Sequence, residues 1–314
     1  MEYRTLGRTG FEVSLLSLGS GGARALGQSV GMSQGQQTAL VRRALDLGIN
    51  FIDTSAIYGD SELILGRALE GVPRDSYFLT TKWLALKDGK SVPDPALLAE
   101  GVNESLKRLL TDYVDVMMFH GPLPDEYPEL IERVAPTMVR LREEGKVRAV
   151  GISTRYATDP AQVTGERALM EDPDLFDVVM LKYGMLNQHA ADEMFPLAIE
   201  HDVGVMNMAT IRDKLPDPAR LEQLIQEWKN GGKIAADSLP AEDPLGWLVH
   251  DDVDSVISAG YKFGADHPAV STVITGTASI EHLESNVAAL ETPRLPAEDA
   301  QRIKDLFGSI VEYA

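Results

Sequence analysis

Short apolar, β-branched runs alternate with longer amphipathic stretches along the whole chain. The runs "SLLSLG" (Ser14–Gly19), "NFIDT" (Asn50–Thr54), "YFLTTK" (Tyr77–Lys82) and "VDVMMFH" (Val114–His120) have the length and residue types of buried strands. "VRAVGIS" (Val147–Ser153), "DVVMLK" (Asp177–Lys182), "GVMNMA" (Gly204–Ala209) and "STVIT" (Ser271–Thr275) continue the series. Between them, apolar residues recur at helical spacing over Gln36–Leu47, Pro95–Leu110, Tyr127–Glu144 and His189–Glu200. Several of these stretches end in glycine, as in "DLGIN" and "REEGKV", where a left-handed residue stops a helix.

Eight strand–helix units in one chain predict a closed (β/α)8 TIM barrel more than an open sheet. The rival, a doubly wound sheet, would carry a G-x-G-x-x-G turn after its first strand. Here that turn is "GSGGAR" (Gly19–Arg24), with Arg24 where the third glycine should let helix and strand approach. Ahead of the first barrel strand, "EYRTLGRTGFEVSLL" reads as an N-terminal β-hairpin turning at Arg8–Gly10, placed to close the barrel bottom. Loops would cover the C-terminal mouth. No linker or low-complexity tract divides the chain, so residues 1–314 are expected to form one domain.

Composition narrows the partners. The 314 residues hold 48 Asp+Glu against 29 Lys+Arg, a formal net charge of −19. A field of that sign repels nucleic-acid phosphates and anionic membranes, so neither is an expected partner, and the charge reads as a solvated surface. With 44% hydrophobic residues the chain can bury a sizeable core. No apolar run approaches the roughly 18 residues of a membrane span, and "MEYRTLGRTG" lacks the apolar centre of a signal peptide, so a soluble, cytoplasmic protein is expected. Cysteine is absent, which excludes disulfides and a thiol nucleophile, and no metal site is read.

The barrel reading changes what the polar strand ends mean, because in this fold the C-terminal ends carry the chemistry. Asp53 closes the second strand and Tyr58 follows in its loop; Lys82 closes the third and His120 the fourth. Singly, each has an ordinary explanation: a helix cap, a packed ring, a solvated lysine, a satisfied histidine. Together, on adjacent strands of one mouth, they point to an acid–base unit. A tyrosine's ordinary pKa near 10 leaves about a thousandth ionised at neutral pH, and a nearby cation favours the phenolate. Lys82 supplies that cation, Asp53 holds Lys82 charged in a desolvated site, and His120 orients the substrate oxygen.

These residues sit in segments that resemble the aldo-keto reductase family along nearly the whole chain. The resemblance runs through "RTLGRTGFEVSLLSLGSGG", "GINFIDTSAIYGDSELILGRAL", "VDVMMFHGP", "GKVRAVGIST" and "VITGTASIEHLESNVAAL". The family's Asp, Tyr, Lys and His tetrad falls on Asp53, Tyr58, Lys82 and His120 without a gap. "VGVMNMA" and "HLESNVAAL" look most like the branch that contains L-galactose dehydrogenase and D-threo-aldose 1-dehydrogenase. The resemblance implies an NAD or NADP cofactor across the mouth, touched by Gly21, Gly22, Ser153, Thr154, Met180, Met208, Gly276, Thr277, His282 and Asn286. Thr154 stands where the family usually has asparagine, Met180 where it has a glutamine that binds the carboxamide, and Met208 where an aromatic stacks on the nicotinamide.

Gly276 and His282 replace the basic residues that hold a 2′-phosphate, and Glu281 and Glu284 lie close by, so NAD is favoured. Arg294 and Arg302 lie further along and could swing in. Specificity would come from the loops Arg24–Ser33, Trp83–Pro93, Gly121–Tyr127 and Thr210–Pro240, with Trp83 and Arg24 as substrate contacts and Phe119 and Tyr156 behind them. The implied substrate is an aldose or a small carbonyl or alcohol. Two alternatives stay open at this point: a Schiff-base lyase or aldolase using Lys82, and a regulatory subunit that binds a nicotinamide cofactor without turnover.

Overall fold

A computed structural model describes residues 1–84, 86–87, 90–291 and 294–311. Among the described residues twelve strands follow in chain order: β1 (Tyr3–Thr5), β2 (Glu12–Ser14), β3 (Leu16–Gly19), β4 (Phe51–Asp53), β5 (Phe78–Trp83), β6 (Leu86–Lys87), β7 (Lys90–Ser91), β8 (Val114–His120), β9 (Val147–Ser153), β10 (Val178–Lys182), β11 (Gly204–Met208) and β12 (Val270–Thr275). Eight of them, β3–β4–β5–β8–β9–β10–β11–β12, pair in parallel, and β12 closes on β3. This is the (β/α)8 barrel that the alternating pattern predicts, with each expected strand in its place.

The barrel has two apolar shells because strand side chains alternate. Phe51, Val116, Met118, Ala149, Val178, Met180 and Met206 point inward and form one cluster. Their neighbours Ile52, Leu79, Met117, Phe119, Val150, Ile152 and Leu181 pack outward under the helices. The inner cluster is completed from below by Leu6, Phe11 and Val13. These belong to the β1–β2 hairpin, which is antiparallel and turns through Gly10 at φ 69°. Gly204, the first residue of β11, lets the plug seat: a Cβ there would lie 2.7 Å from Leu6. The hairpin therefore closes the barrel bottom, as its sequence predicts.

The helices start and stop for local reasons. Ser33 and Gln36 form a capping box at Gln34–Asp46, and Asp94 caps Pro95–Leu109. The stretch expected as one helix, Tyr127–Glu144, contains a π-helical turn at Leu130–Val134 before Ala135–Glu143. Pro136, at the start of the last segment, has no N–H to continue the regular ladder. Of the Trp83–Pro93 loop, Ala85, Asp88 and Gly89 lie outside the described residues. Among the described residues no helix is long and apolar enough to cross a membrane.

Candidate active site

Alternation along three neighbouring strands carries three polar residues to the inner rim. On β4, Phe51 faces the core and Asp53 the mouth; on β5, Phe78, Thr80 and Lys82 share the inner side; on β8, Val116 and Met118 lead to His120. Lys82 Nζ donates to Asp53 Oδ1 at 2.6 Å and Oδ2 at 2.8 Å, and to the Thr54 carbonyl at 2.8 Å. The ammonium lies 4.9 Å from the centre of the Tyr58 ring. The Tyr58 and His120 rings meet edge to face with centroids 5.5 Å apart. The four residues named from the sequence thus form one cluster.

Burial opposes both charges of the ion pair, favouring a neutral amine on Lys82 and a protonated Asp53. On Lys82 the opposing pull of Asp53, joined by Tyr58, prevails and holds the ammonium above its ordinary range. His120 goes the other way. Burial, then the charges of Lys82 and Arg155, push its pKa down to about 3, so the imidazole is neutral at physiological pH. A charged lysine beside a neutral histidine is the electrostatic signature of this rim.

Loop contacts hold Tyr58 in place. A Cβ on Gly21 would lie 2.5 Å from Tyr58 Cε2 and 2.8 Å from Cζ, so only glycine lets this backbone lie on the ring. Gln28 clamps the same loop: its Nε2 donates to the Tyr58 carbonyl at 3.1 Å and to Ser61 Oγ at 2.9 Å, and its Oε1 accepts from Asp60 N. Ser55, fully buried, lies 2.9 Å from His120 Nδ1. Gln28 and Ser55 are absent from the sequence reading, since both act across loops that composition does not join.

The residues expected at the cofactor divide into two groups. Ser153 is level with His120 and with Met180 on adjacent strands and faces the rim, while Met180 and Met206 floor the barrel and Met208 packs on the same cluster. Gly22, Gly276 and His282 are exposed on the opposite rim. Thr277 caps the turn before the helix Ile280–Glu291 by accepting from Ser279 N, and Asn286 donates to Thr275 Oγ1 at 2.9 Å. Thr154 is directed elsewhere: its hydroxyl donates to Gln162 Oε1 at 2.7 Å, and its methyl meets Gly165 of the outer helix Val163–Glu171. Glu284 is paired with Arg43 at 2.7 Å.

Trp83 corrects an expectation. Lys82 points inward, so its neighbour points outward. The indole packs against Gly101 and Phe119 and donates to the Leu97 carbonyl at 3.2 Å, beneath the helix Pro95–Leu109. It is a core residue and not a substrate wall. Phe119 likewise packs outward, on Phe176. Arg24 is exposed on the loop after β3. Tyr156 is at the rim, with Lys182 Nζ 5.1 Å and the Arg212 guanidinium 5.6 Å from its ring centre. Burial, then Arg212, lowers Lys182 to a pKa of about 8.

A nicotinamide dinucleotide fits what these residues offer. A Cβ on Gly276 would meet nothing closer than the carbonyls of Gly21 and Gly19, at 3.6 and 3.7 Å, so two bare backbones form a shelf. The shelf leads to the N-terminus of the helix Ile280–Glu291, where Ser279 Oγ accepts from His282 N at 3.1 Å and the positive end of the helix suits a phosphate. Among the described residues no group of three or more His, Asp or Glu is placed to hold a metal ion.

Comparison with known proteins agrees with this geometry. L-galactose dehydrogenase of Arabidopsis thaliana is 29% identical over 300 residues, covering 92% of this chain and 88% of its own. The NADH-specific methylglyoxal reductase of Escherichia coli is 27% identical over 285 residues, covering 82% and 83%. An aldo-keto reductase of Bacillus halodurans, solved in its holo form, superposes with a TM-score of 0.75 at 29% identity, covering 99% of this chain and 98% of that one. The aldo/keto reductase family model matches residues 17–307. The chain belongs to the aldo/keto reductase family and is an NAD(P)-dependent oxidoreductase.

Proposed function

We propose that the chain interconverts an alcohol and a carbonyl on an aldose or a small carbonyl compound, with Tyr58 moving the proton. The observation that carries this reading is the Lys82 ammonium, fixed by Asp53 at 2.6 Å and set 4.9 Å from the centre of the Tyr58 ring. Ser153, Gly21, Gly22, Gly276 and the helix Ile280–Glu291 would hold the dinucleotide, which when bound supplies or takes the hydride. Lys82 stabilises a phenolate on Tyr58, which takes the hydroxyl proton in oxidation and returns it to the carbonyl oxygen in reduction. Neutral His120 binds that oxygen and fixes its position. The Met180–Met206 floor keeps water from the reacting carbon.

The aldose reading rests on "VGVMNMA" and "HLESNVAAL" and on the similarity to L-galactose dehydrogenase. NAD is favoured over NADP. Arg294 is engaged by Asp266 at 3.0 Å, Arg302 is stacked on Trp247, and Glu281 stands in the first turn of the helix. The Schiff-base alternative needs a neutral lysine, and Lys82 is held charged by three acceptors. The deciding experiment is a panel of aldoses and aldehydes with NAD and NADP, run on the wild type and on Tyr58→Phe. Turnover should be lost in the variant while cofactor binding persists; an unchanged rate refutes the proton-transfer role.

A further inference from the structure

The His120 ring presents two nitrogens with different surroundings. Nδ1 is turned to Ser55 Oγ at 2.9 Å, inside the loop that leaves β4. That leaves Nε2 as the nitrogen able to meet a substrate. In a neutral imidazole one nitrogen carries the hydrogen and the other a lone pair, and the partner of the first decides the state of the second. Ser55 Oγ has two further neighbours, both at 3.4 Å: the Lys82 carbonyl, which accepts, and Ile57 N, which donates.

The serine has one hydrogen to place. Given to the Lys82 carbonyl, it would satisfy a long contact on an oxygen that Ala56 N also reaches at 3.4 Å. His120 Nδ1–H would then donate to Ser55, and Nε2 would turn a lone pair toward the mouth. A lone pair there opposes the negative charge that grows on a carbonyl oxygen as hydride arrives, and equally the alkoxide character of an alcohol losing its proton. Given to Nδ1 across the 2.9 Å contact, the hydrogen leaves Nε2–H as a donor to that oxygen in both directions. Ile57 N still donates to Ser55 Oγ in this arrangement.

We propose that Ser55 is a positioning residue that donates its hydroxyl hydrogen to His120 Nδ1 and so fixes the Nε2–H tautomer that the reacting oxygen requires. The proposal rests on the reading of His120 as the group that binds the substrate oxygen, but its structural half can be tested without any substrate. Nitrogen-15 NMR of histidine-labelled wild-type protein at pH 7, assigned with His120→Gln, should show His120 as a single neutral tautomer with the hydrogen on Nε2. A hydrogen on Nδ1 overturns the proposal, whatever the enzyme turns over.

The variants separate positioning from packing. Ser55→Ala should give a mixture of tautomers and lower kcat tenfold or more, with the cofactor KM unchanged. Ser55→Thr, which keeps the hydroxyl, should restore both the tautomer and the rate. The same tautomer and rate in Ser55→Ala as in the wild type would overturn the assignment. If Ser55→Ala does not fold, the wild-type spectrum still decides. An Nε2–H tautomer set by Ser55, in a protein that turns over no carbonyl or alcohol, would sink the proposed function and leave the serine's role intact.

Discussion

The two ends of the barrel each bury an aspartate against cations, and the two are built differently. At the mouth, Asp53 faces a single ammonium, Lys82, and both are almost wholly buried. At the bottom, fully buried Asp115 is surrounded by donors: Arg74 Nη2 at 2.6 Å, Arg148 Nη1 at 2.6 Å and the Leu79 amide at 2.8 Å. Both guanidiniums keep part of their surface in water, and Arg74 and Arg148 also lie over the Tyr113 ring. Asp115 thus ties β5, β8 and β9 together with every contact satisfied. The mouth pair instead maintains a charge in a desolvated place, where it can act on Tyr58. The bottom pair has a partner for every charge, whereas the mouth pair, under the proposed mechanism, serves the chemistry at a cost in stability.

Breaking each pair tests this contrast. Lys82→Met should lower turnover by about 10²–10⁴-fold, because the proposed proton transfer at Tyr58 loses the ammonium set 4.9 Å from its ring centre. It also strands Asp53 and should cost about 3–5 kcal/mol of folding stability. Adding Asp53→Asn removes the stranded charge, so the double variant should regain stability in urea unfolding but no activity. Recovery of turnover in the double variant would contradict the role given to Lys82. Asp115→Ala should cost about 2–4 kcal/mol by leaving two guanidiniums and an amide without their acceptor, while kcat per folded molecule stays unchanged. A fall in kcat would show that the bottom reaches the chemistry.

The sequence made the first contrast readable and hid much of the rest. Asp53, Lys82 and His120 were legible because a strand's alternation and its end are local properties, and Tyr58 follows within one short loop. The same alternation places Trp83 outward, since adjacent strand residues cannot both face the mouth, and parity outweighs the chemistry that an indole beside Lys82 suggests. Thr154, next to Ser153, is directed outward for the same reason. Ser55, Gln28 and Gln162 were not legible, because each acts through partners on other loops. The Arg43–Glu284 pair joins residues 241 apart in the chain, which no local pattern reports.

His120 sharpens the contrast through pH. Its folded pKa of about 3 lies below the ordinary 6.5, so as pH falls through 6.5 the unfolded chain takes a proton that the folded chain refuses. Stability is therefore complete above 6.5 and is lost progressively toward pH 3, by about 1.4 kcal/mol per unit. Between pH 7 and pH 5 the wild type should lose about 2 kcal/mol that His120→Gln does not, read from urea midpoints. Equal losses would mean that the imidazole is charged in the folded protein. Gly21→Ala should act more gently: a methyl 2.5 Å from the Tyr58 ring displaces it and should lower kcat about tenfold, about 1.4 kcal/mol.

The smallest expected effect concerns which dinucleotide the mouth accepts. Arg43 is a cation near the N-terminal turn of the helix Ile280–Glu291, and Glu284 occupies it through Nε at 2.8 Å and Nη2 at 2.7 Å. Both side chains are partly exposed, so the pair itself contributes little to stability. Its consequence for a 2′-phosphate is larger, because a neutralised guanidinium offers no field to an added negative charge. Glu284→Gln removes one negative charge and releases Arg43, and should move the NAD to NADP ratio of kcat/KM toward NADP by about three- to tenfold, less at high salt. Glu284→Gln combined with Arg43→Gln should return most of that shift. A ratio unmoved in both variants would take the Arg43–Glu284 pair out of cofactor choice and leave Glu281, in the first turn of the same helix, as the negative charge to test next.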